Sequence, residues 1–111
     1  MISSKIEEIS FYIKKAVNKV DEDAKIILFG SQARGESNKD SDWDFLILTD
    51  KEVTSELQDE IRSYIYDIEL DIEQVITSII DNKEVWKKYQ VSEFYKNVEK
   101  DGIEILLPTA A

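Results

Sequence analysis

Hydrophobic and polar residues along the chain follow patterns that predict helices alternating with short strands. In the first twenty residues, apolar side chains recur every three or four positions, which is the spacing of one helix face, and we predict a helix over residues 4–20. A compact apolar run at 24–29 ends at Gly30, and its length and β-branched content are typical of a buried strand. A turn-rich segment separates it from a second predicted strand at 43–48.

The segment at 53–72 fits two patterns at once. Most of its apolar residues keep the helical period, but Ile68, Leu70 and Ile72 also alternate with acidic residues, as in a strand. We favour a single helix that ends at about Asp71. In the other interpretation, the end of the segment is a strand that carries Asp71 between two apolar residues.

The rest of the chain completes a small α/β domain. The predicted elements are a third strand at 75–80, helices at 84–89 and 92–101, and an edge strand at 103–107. Gly102 is expected to end the last helix in the left-handed conformation. The predicted fold is of the α/β (α+β) class, with a small mixed sheet of three to four strands flanked by helices. We expect one domain over residues 1–107 and a tail at 108–111.

Composition narrows the chemistry that is available. The 111 residues carry 24 Asp and Glu against 14 Lys and Arg, a net charge of −10, which disfavours direct binding to nucleic acid. The absence of Cys and His excludes disulfides, thiolate nucleophiles and zinc sites built from those side chains. No apolar run approaches the ~20 residues of a membrane span, and the N-terminus lacks the apolar stretch of a signal peptide. We therefore expect no membrane contact and a cytoplasmic location.

The residues with the clearest chemical meaning are Gly30-Ser31 and, after ten intervening residues, Asp42-Trp43-Asp44. At Gly30 the missing Cβ lets a ligand approach the backbone where the first strand ends. If a helix begins at Ser31, its free N–H groups and the serine hydroxyl suit a phosphate. Asp42 and Asp44 leave the same face of the second strand, where they repel each other unless a cation lies between them.

A hard divalent cation such as Mg²⁺ fits two neighbouring carboxylates, and substrate phosphates would complete its oxygen ligands. Separately, a Gly-Ser pair is a common turn, and an Asp-x-Asp sequence is a common strand edge or helix cap. Together, between two apolar strands, they indicate a site for a nucleoside triphosphate bound with Mg²⁺. Such a site favours in-line phosphoryl or nucleotidyl transfer.

The stretch over residues 30–48 resembles the signature of the nucleotidyltransferase superfamily with a DNA polymerase β-like palm, and in particular that of its smallest branch, the minimal nucleotidyltransferases. The matching residues are Gly30, Ser31, Arg34, Gly35, Ser41, Asp42 and Asp44. The resemblance implies that Gly30 and Ser31 bind the triphosphate of ATP. It also implies that Asp42 and Asp44 are the catalytic residues that coordinate Mg²⁺.

Two features of the resemblance are left open by the sequence. Arg34 either contacts phosphate or orients the loop, as in the family, or forms a surface ion pair with Glu36. The family usually has a third carboxylate on the third strand, which acts as the base that activates the acceptor hydroxyl. If that strand is 75–80, none of its first three residues is acidic; if the preceding segment is a strand, Asp71 fits the pattern.

The family resemblance also implies a biological role. Many minimal nucleotidyltransferases are antitoxins of HEPN-domain toxins, and similar antitoxins transfer AMP from ATP to a tyrosine hydroxyl of that partner. We therefore expect an Mg²⁺-dependent adenylyltransferase that acts as the antitoxin of a HEPN-type toxin. Two alternatives remain: a catalytically weak antitoxin that acts by binding alone, and an enzyme that adenylylates a small molecule such as an aminoglycoside. Enzymes of the latter kind generally carry an extra domain for the drug, and a homo-oligomer of this chain could supply one.

Overall fold

The structure is a computed structural model that describes residues 4–36 and 42–106. Its elements, in chain order, are α1 (Ser4–Asn18), β1 (Lys25–Phe29), α2 (Gly30–Arg34), β2 (Trp43–Thr49), α3 (Ser55–Ile72), β3 (Ile76–Asn82), α4 (Lys83–Lys87), α5 (Glu93–Asp101) and β4 (Ile103–Glu104). The predicted tail at 108–111 and Ser41 of the motif lie outside the described residues. Within the described ranges, no helix combines the length and the hydrophobicity that crossing a bilayer requires.

The segment with two sequence patterns is helical. α3 begins after Thr54, whose hydroxyl accepts a hydrogen bond from the N–H of Leu57 at 3.1 Å. It ends at Glu73, which has a left-handed backbone with φ 55° and donates its N–H to the Glu69 carbonyl. The favoured interpretation is confirmed, and Asp71 lies in the last turn of α3.

The four described strands form one mixed sheet in the order β3-β2-β1-β4. β1 runs antiparallel to β2 and to β4, whereas β2 and β3 are parallel and are connected by the crossover helix α3. The register pairs Phe29 with Asp44 and Asp44 with Thr77. The predicted α/β fold, a mixed sheet of three to four strands flanked by helices, is confirmed.

The sheet separates two apolar cores, and the residues of β2 point alternately into one or the other. Trp43 and Phe45 join the larger core together with side chains of α1 and α3. Leu46 and Leu48 join the smaller core, to which α4 and α5 contribute. Asp44 belongs to the same alternating set as Leu46, so its carboxylate leaves the sheet on the face of the smaller core.

One prediction about a helix end is wrong. Gly102 follows α5 in an extended conformation, with φ −66° and ψ 144°, and not in the left-handed one. A Cβ at this position would collide with the Val98 carbonyl and with the Ile27 side chain. Glycine therefore suits this position because there is no room for a Cβ, and not because the backbone needs a positive φ. The predicted edge strand at 103–107 is also shorter than expected, since β4 contains two residues.

Candidate active site

Gly30 and Asp44 are brought together by the pairing of β1 with β2. The register places Asp44 opposite Phe29, so the turn that follows β1 lies beside the start of β2. Gly30 has φ +76°, a region that side chains disfavour, and a Cβ there would collide with the Asp44 carboxylate. The two halves of the sequence motif therefore meet at one corner of the sheet, where only glycine lets the backbone approach the carboxylate this closely.

Asp42 and Asp44 form a pair of like charges at this corner. Asp42 is exposed and Asp44 is half-buried. Burial raises the pKa of Asp44, and the charge of Asp42 raises that pKa further, while the charge of Arg34 opposes both effects. A divalent cation would relieve this repulsion, and two carboxylates supply the oxygen donors that Mg²⁺ prefers. The residues present therefore fit the predicted magnesium site.

Ser31 and Arg34 lie on α2, directly after the Gly30 turn. Ser31 is half-buried, and its carbonyl accepts a hydrogen bond from the N–H of Glu36 at 3.0 Å. Arg34 donates from Nε to Oε2 of Glu36 at 3.0 Å, so the surface ion pair considered in the sequence analysis does form. Both side chains are exposed, and such a pair contributes only ~0–1 kcal/mol. A phosphate could replace Glu36 at little cost, and the charge of Arg34 already acts on Asp44.

The structure places no acid where the family's third carboxylate is expected. Thr77 is the residue of β3 that pairs with Asp44. Asp71 lies on α3 and is exposed, and Asp81 pairs with Leu48, four residues or ~13 Å further along the strand. Across the described ranges, no three acidic, His or Cys side chains cluster so as to hold a metal ion. Among the described residues, this corner of the sheet therefore has two carboxylates, which agrees with the interpretation in which the third strand begins at residues 75–77 and none of these is acidic.

A cavity of about 220 Å³ opens beside the Gly30 turn. Its lining residues are Phe29, Gly30, Arg34, Phe94, Asn97, Val98 and Asp101. A larger cavity of about 420 Å³ lies between α1 and β4, but none of the predicted site residues lines it. The smaller cavity is thus the one that adjoins the predicted chemistry.

α5 contributes a wall of this cavity that no motif in the sequence indicated. Phe94, Asn97 and Asp101 are separated by three and four residues, so they lie on one face of the helix. That spacing was visible in the sequence as a mixed aromatic and polar face. Nothing in the sequence showed that this face lies against Gly30, because more than sixty residues separate them.

Comparison with known sequences identifies the family. The profile of the family described as "Nucleotidyltransferase domain" matches residues 12–105 of this chain. The chain is also 35% identical over 78 residues to the "Putative protein adenylyltransferase" of Methanocaldococcus jannaschii, an alignment that covers 70% of this chain and 73% of that protein. The chain belongs to the nucleotidyltransferase family. The resemblance to minimal nucleotidyltransferases and the prediction of a nucleotidyltransferase enzyme are confirmed.

The fold of this nucleotidyltransferase also has a counterpart among solved structures. A chain from the "Crystal structure of the toxin-antitoxin with AMP-PNP" superposes with a TM-score of 0.53, over 86% of this chain and 74% of that chain. The two sequences are 14% identical, so the likeness is one of fold. It shows that the mixed sheet and its flanking helices form a fold that occurs in a solved structure.

Proposed function

We propose that this nucleotidyltransferase transfers AMP from ATP to a hydroxyl group of a partner protein, with Mg²⁺ held by Asp42 and Asp44. The observation that carries the proposal is the half-buried carboxylate of Asp44, packed on the Gly30 turn beside a second carboxylate. A like-charge pair of this kind is unfavourable on its own and becomes favourable when it binds a cation. The name of the archaeal relative, a protein adenylyltransferase, supports both AMP and a protein acceptor.

The nucleotide is placed by the groups that surround the turn. Gly30 leaves its backbone open to the triphosphate, the hydroxyl of Ser31 donates to a phosphate oxygen, and Arg34 exchanges Glu36 for phosphate. When bound, Mg²⁺ supplies neutralisation of the phosphate charge. The acceptor hydroxyl then attacks the α-phosphorus, a new phosphorus–oxygen bond forms, and pyrophosphate leaves. AMP-PNP in the structural neighbour supports an adenine nucleotide as the substrate.

Among the residues that the structure describes, no third carboxylate lies beside Asp44, and this sets an expectation for the rate. Thr77 lies beside Asp44, but a threonine hydroxyl does not accept a proton at neutral pH. The proton of the acceptor hydroxyl must therefore pass to solvent or to a group of the partner. A general base typically contributes ~10²–10⁴-fold to the rate, so we expect slow transfer.

A protein acceptor is supported by the surface next to the site. Ile79 of β3 pairs with Leu46, so it shares the face of Asp44 and Thr77, and it remains 37% exposed; Val75, directly before the strand, is 56% exposed. Exposed apolar side chains that border a site are typical of surfaces that bind macromolecules. This favours a protein over an aminoglycoside as the acceptor.

We further propose that the partner is a HEPN-domain toxin and that this chain is its antitoxin. The family resemblance implies this pairing, and the toxin-antitoxin structure with the same fold supports the context. Residues 63–82, which include the end of α3 and all of β3, contain five acidic residues and no Lys or Arg. A partner with a basic surface would complement this region.

A second candidate function is an antitoxin that neutralises its toxin by binding alone. The observation that favours it is Thr77 in place of an acid beside Asp44. In that case nucleotide binding persists, but no AMP is transferred.

Label transfer from α-labelled ATP distinguishes these functions. The chain, isolated with its bound partner protein and supplied with Mg²⁺, is expected to label the partner. The double variant Asp42→Ala/Asp44→Ala should lose the label and keep its fold. Asp59→Ala is the matched control, because it removes an exposed acid of α3 that lies outside residues 63–82 and should leave transfer unchanged.

Each other result has a defined meaning. Normal labelling by the Asp42→Ala/Asp44→Ala variant would contradict the metal site. Loss of labelling in Asp59→Ala would show that the effect of the double variant is not specific to Asp42 and Asp44. No label in the wild-type sample would favour the binding function.

A further inference from the structure

The cavity beside Gly30 is built from two walls that are distant in sequence. One wall contains Phe29, at the end of β1, and Arg34, on α2. The other is the face of α5 that carries Phe94, Asn97 and Asp101. Since the carboxylate of Asp44 packs on Gly30, which itself lines the cavity, an occupant that touches Gly30 would lie close to the Asp44 carboxylate.

The aromatic side of the cavity is held rigidly. The ring of Phe94 meets the ring of Phe29 edge to face at 5.3 Å between centroids, and it meets Trp86 in the same way at 5.6 Å. Phe94 still keeps 38% of its surface exposed. Two neighbouring rings therefore fix its orientation and leave part of its surface free to stack on a planar ligand.

The polar side of the cavity offers hydrogen-bonding groups that have no partner within the described ranges. Neither the amide of Asn97 nor the carboxylate of Asp101 makes a hydrogen bond or an ion pair there. The amide can donate and accept, and the carboxylate accepts only. Such a pair suits the amino group and ring nitrogen of a nucleobase, or the hydroxyls of a ribose. It does not suit phosphate, which the Asp101 carboxylate would repel.

We propose that this cavity binds the nucleoside part of ATP, with the base against Phe94 and its polar edge toward Asn97 and Asp101. The inference rests on the proposed function, which places the triphosphate at Gly30, Ser31 and Arg34. The volume of about 220 Å³ is below the ~300–1,000 Å³ of sites that enclose drug-sized ligands, so the cavity would enclose one end of a nucleotide and not a whole aminoglycoside. α5 thereby becomes the element that recognises the nucleoside.

The test compares ATP with inorganic tripolyphosphate, each with Mg²⁺, by isothermal titration calorimetry on the full chain. Tripolyphosphate reports on the phosphate site alone, and ATP reports on both sites. Phe94→Ala should weaken ATP binding about 5- to 150-fold, the equivalent of one base stack, and leave tripolyphosphate binding unchanged. Asn97→Leu should weaken ATP binding about 2- to 10-fold and should also leave tripolyphosphate binding unchanged.

Phe11→Ala provides the matched control. Phe11 is 36% exposed, close to the value for Phe94, but it lines the cavity between α1 and β4, and its loss should not change the binding of either ligand. If Phe94→Ala perturbs the fold, as circular dichroism would show, Asn97→Leu decides the question, because it alters an exposed side chain.

Unchanged ATP affinity in both α5 variants would overturn the inference. Equal weakening of ATP and tripolyphosphate would also overturn it, since α5 would then support the phosphate site. If the wild-type chain binds neither ligand, the proposed function itself fails, and this result differs from both of the others.

Discussion

Asp44, near the start of β2, and Asp21, which precedes β1 and bonds to Thr49 at the end of β2, experience opposite environments. Asp21 is buried, and its carboxylate accepts hydrogen bonds from the Thr49 hydroxyl at 2.6 Å and from the N–H of Asp23 at 3.0 Å. Burial alone would raise the pKa of Asp21, but these bonds, a longer one from the N–H of Asp50 and the charge of Lys51 lower it overall.

Asp44 is less buried, yet its pKa is raised, because burial and the charge of Asp42 outweigh the charge of Arg34. Asp21 therefore stabilises the folded chain through its ionised form, whereas Asp44 is held in a place where ionisation is costly. A carboxylate held by hydrogen bonds, such as Asp21, contributes to the fold, whereas a carboxylate whose pKa is raised beside a like charge, such as Asp44, is a candidate for ligand binding.

The largest effect is expected from adding a third carboxylate beside Asp44. Thr77→Asp places an acid on β3 at the register position that pairs with Asp44, and transfer should rise by ~10²–10⁴-fold if the new group acts as the base. Thr77→Asn is the control, because asparagine has the same size as aspartate and carries no charge. An unchanged transfer rate in Thr77→Asp would show that the chemistry is not limited by a missing base.

Gly30→Ala should break the contact that defines the Asp44 environment. The new Cβ meets a left-handed backbone and the Asp44 carboxylate, so we expect loss of ATP binding and a destabilisation of ~1–3 kcal/mol. Gly35→Ala is the matched control, since Gly35 also has a positive φ, +71°, but open space around its Cβ position. Gly35→Ala should lower the free energy of unfolding by only the ~1–2 kcal/mol that a left-handed backbone costs a residue with a Cβ, and it should keep ATP binding. Equal ATP binding by the two variants would contradict the assigned role of the Gly30 turn.

Asp21→Asn should destabilise the fold by ~1–3 kcal/mol at neutral pH, because the variant leaves hydrogen-bond donors unpaired. The folded-state pKa of Asp21 is lowered, so its stabilisation is complete above the unfolded pKa of ~3.9 and is lost as pH falls through the folded pKa. Denaturant titrations at several pH values should show the difference between wild type and variant shrinking at low pH. A difference that is constant with pH would argue against a role for the ionised form.

Asp44→Asn should change the free energy of unfolding in the opposite direction to Asp21→Asn and by the smallest amount. The folded-state pKa of Asp44 is raised, so its charge destabilises the fold above that pKa, and the cost disappears as pH falls to the unfolded pKa of ~3.9. The variant should therefore gain about 0.5 kcal/mol or less at neutral pH in the absence of Mg²⁺, and nothing at low pH. Destabilisation at neutral pH would mean that Asp44 has a structural role like that of Asp21.

Local signals in the sequence were sufficient to predict most helices and strands and to find the motif formed by Gly30-Ser31 and by Asp42 and Asp44. Apolar spacing located α1 and α3, and the Gly30-Ser31 and Asp42-Asp44 pairs indicated one corner of a sheet because each adjoins a short apolar strand. The features that were missed depend on contacts between distant segments. Thr49 binds Asp21 from 28 residues away, and α5 reaches Gly30 from the end of the chain. Neither contact leaves a periodic pattern, so only the folded structure reveals them.

If Asp42 and Asp44 hold Mg²⁺, as we propose, nucleotide binding must depend on Mg²⁺. The most direct measurement is the affinity for ATP, by isothermal titration calorimetry with and without Mg²⁺, in the wild type and in Asp42→Asn/Asp44→Asn. We predict that Mg²⁺ strengthens ATP binding by the wild type and has little effect on the double variant, whose fold is retained. Two results would rule out a magnesium site at Asp42 and Asp44. In one, Mg²⁺ raises the affinity for ATP equally in both proteins; in the other, the affinity of the wild type for ATP does not respond to Mg²⁺.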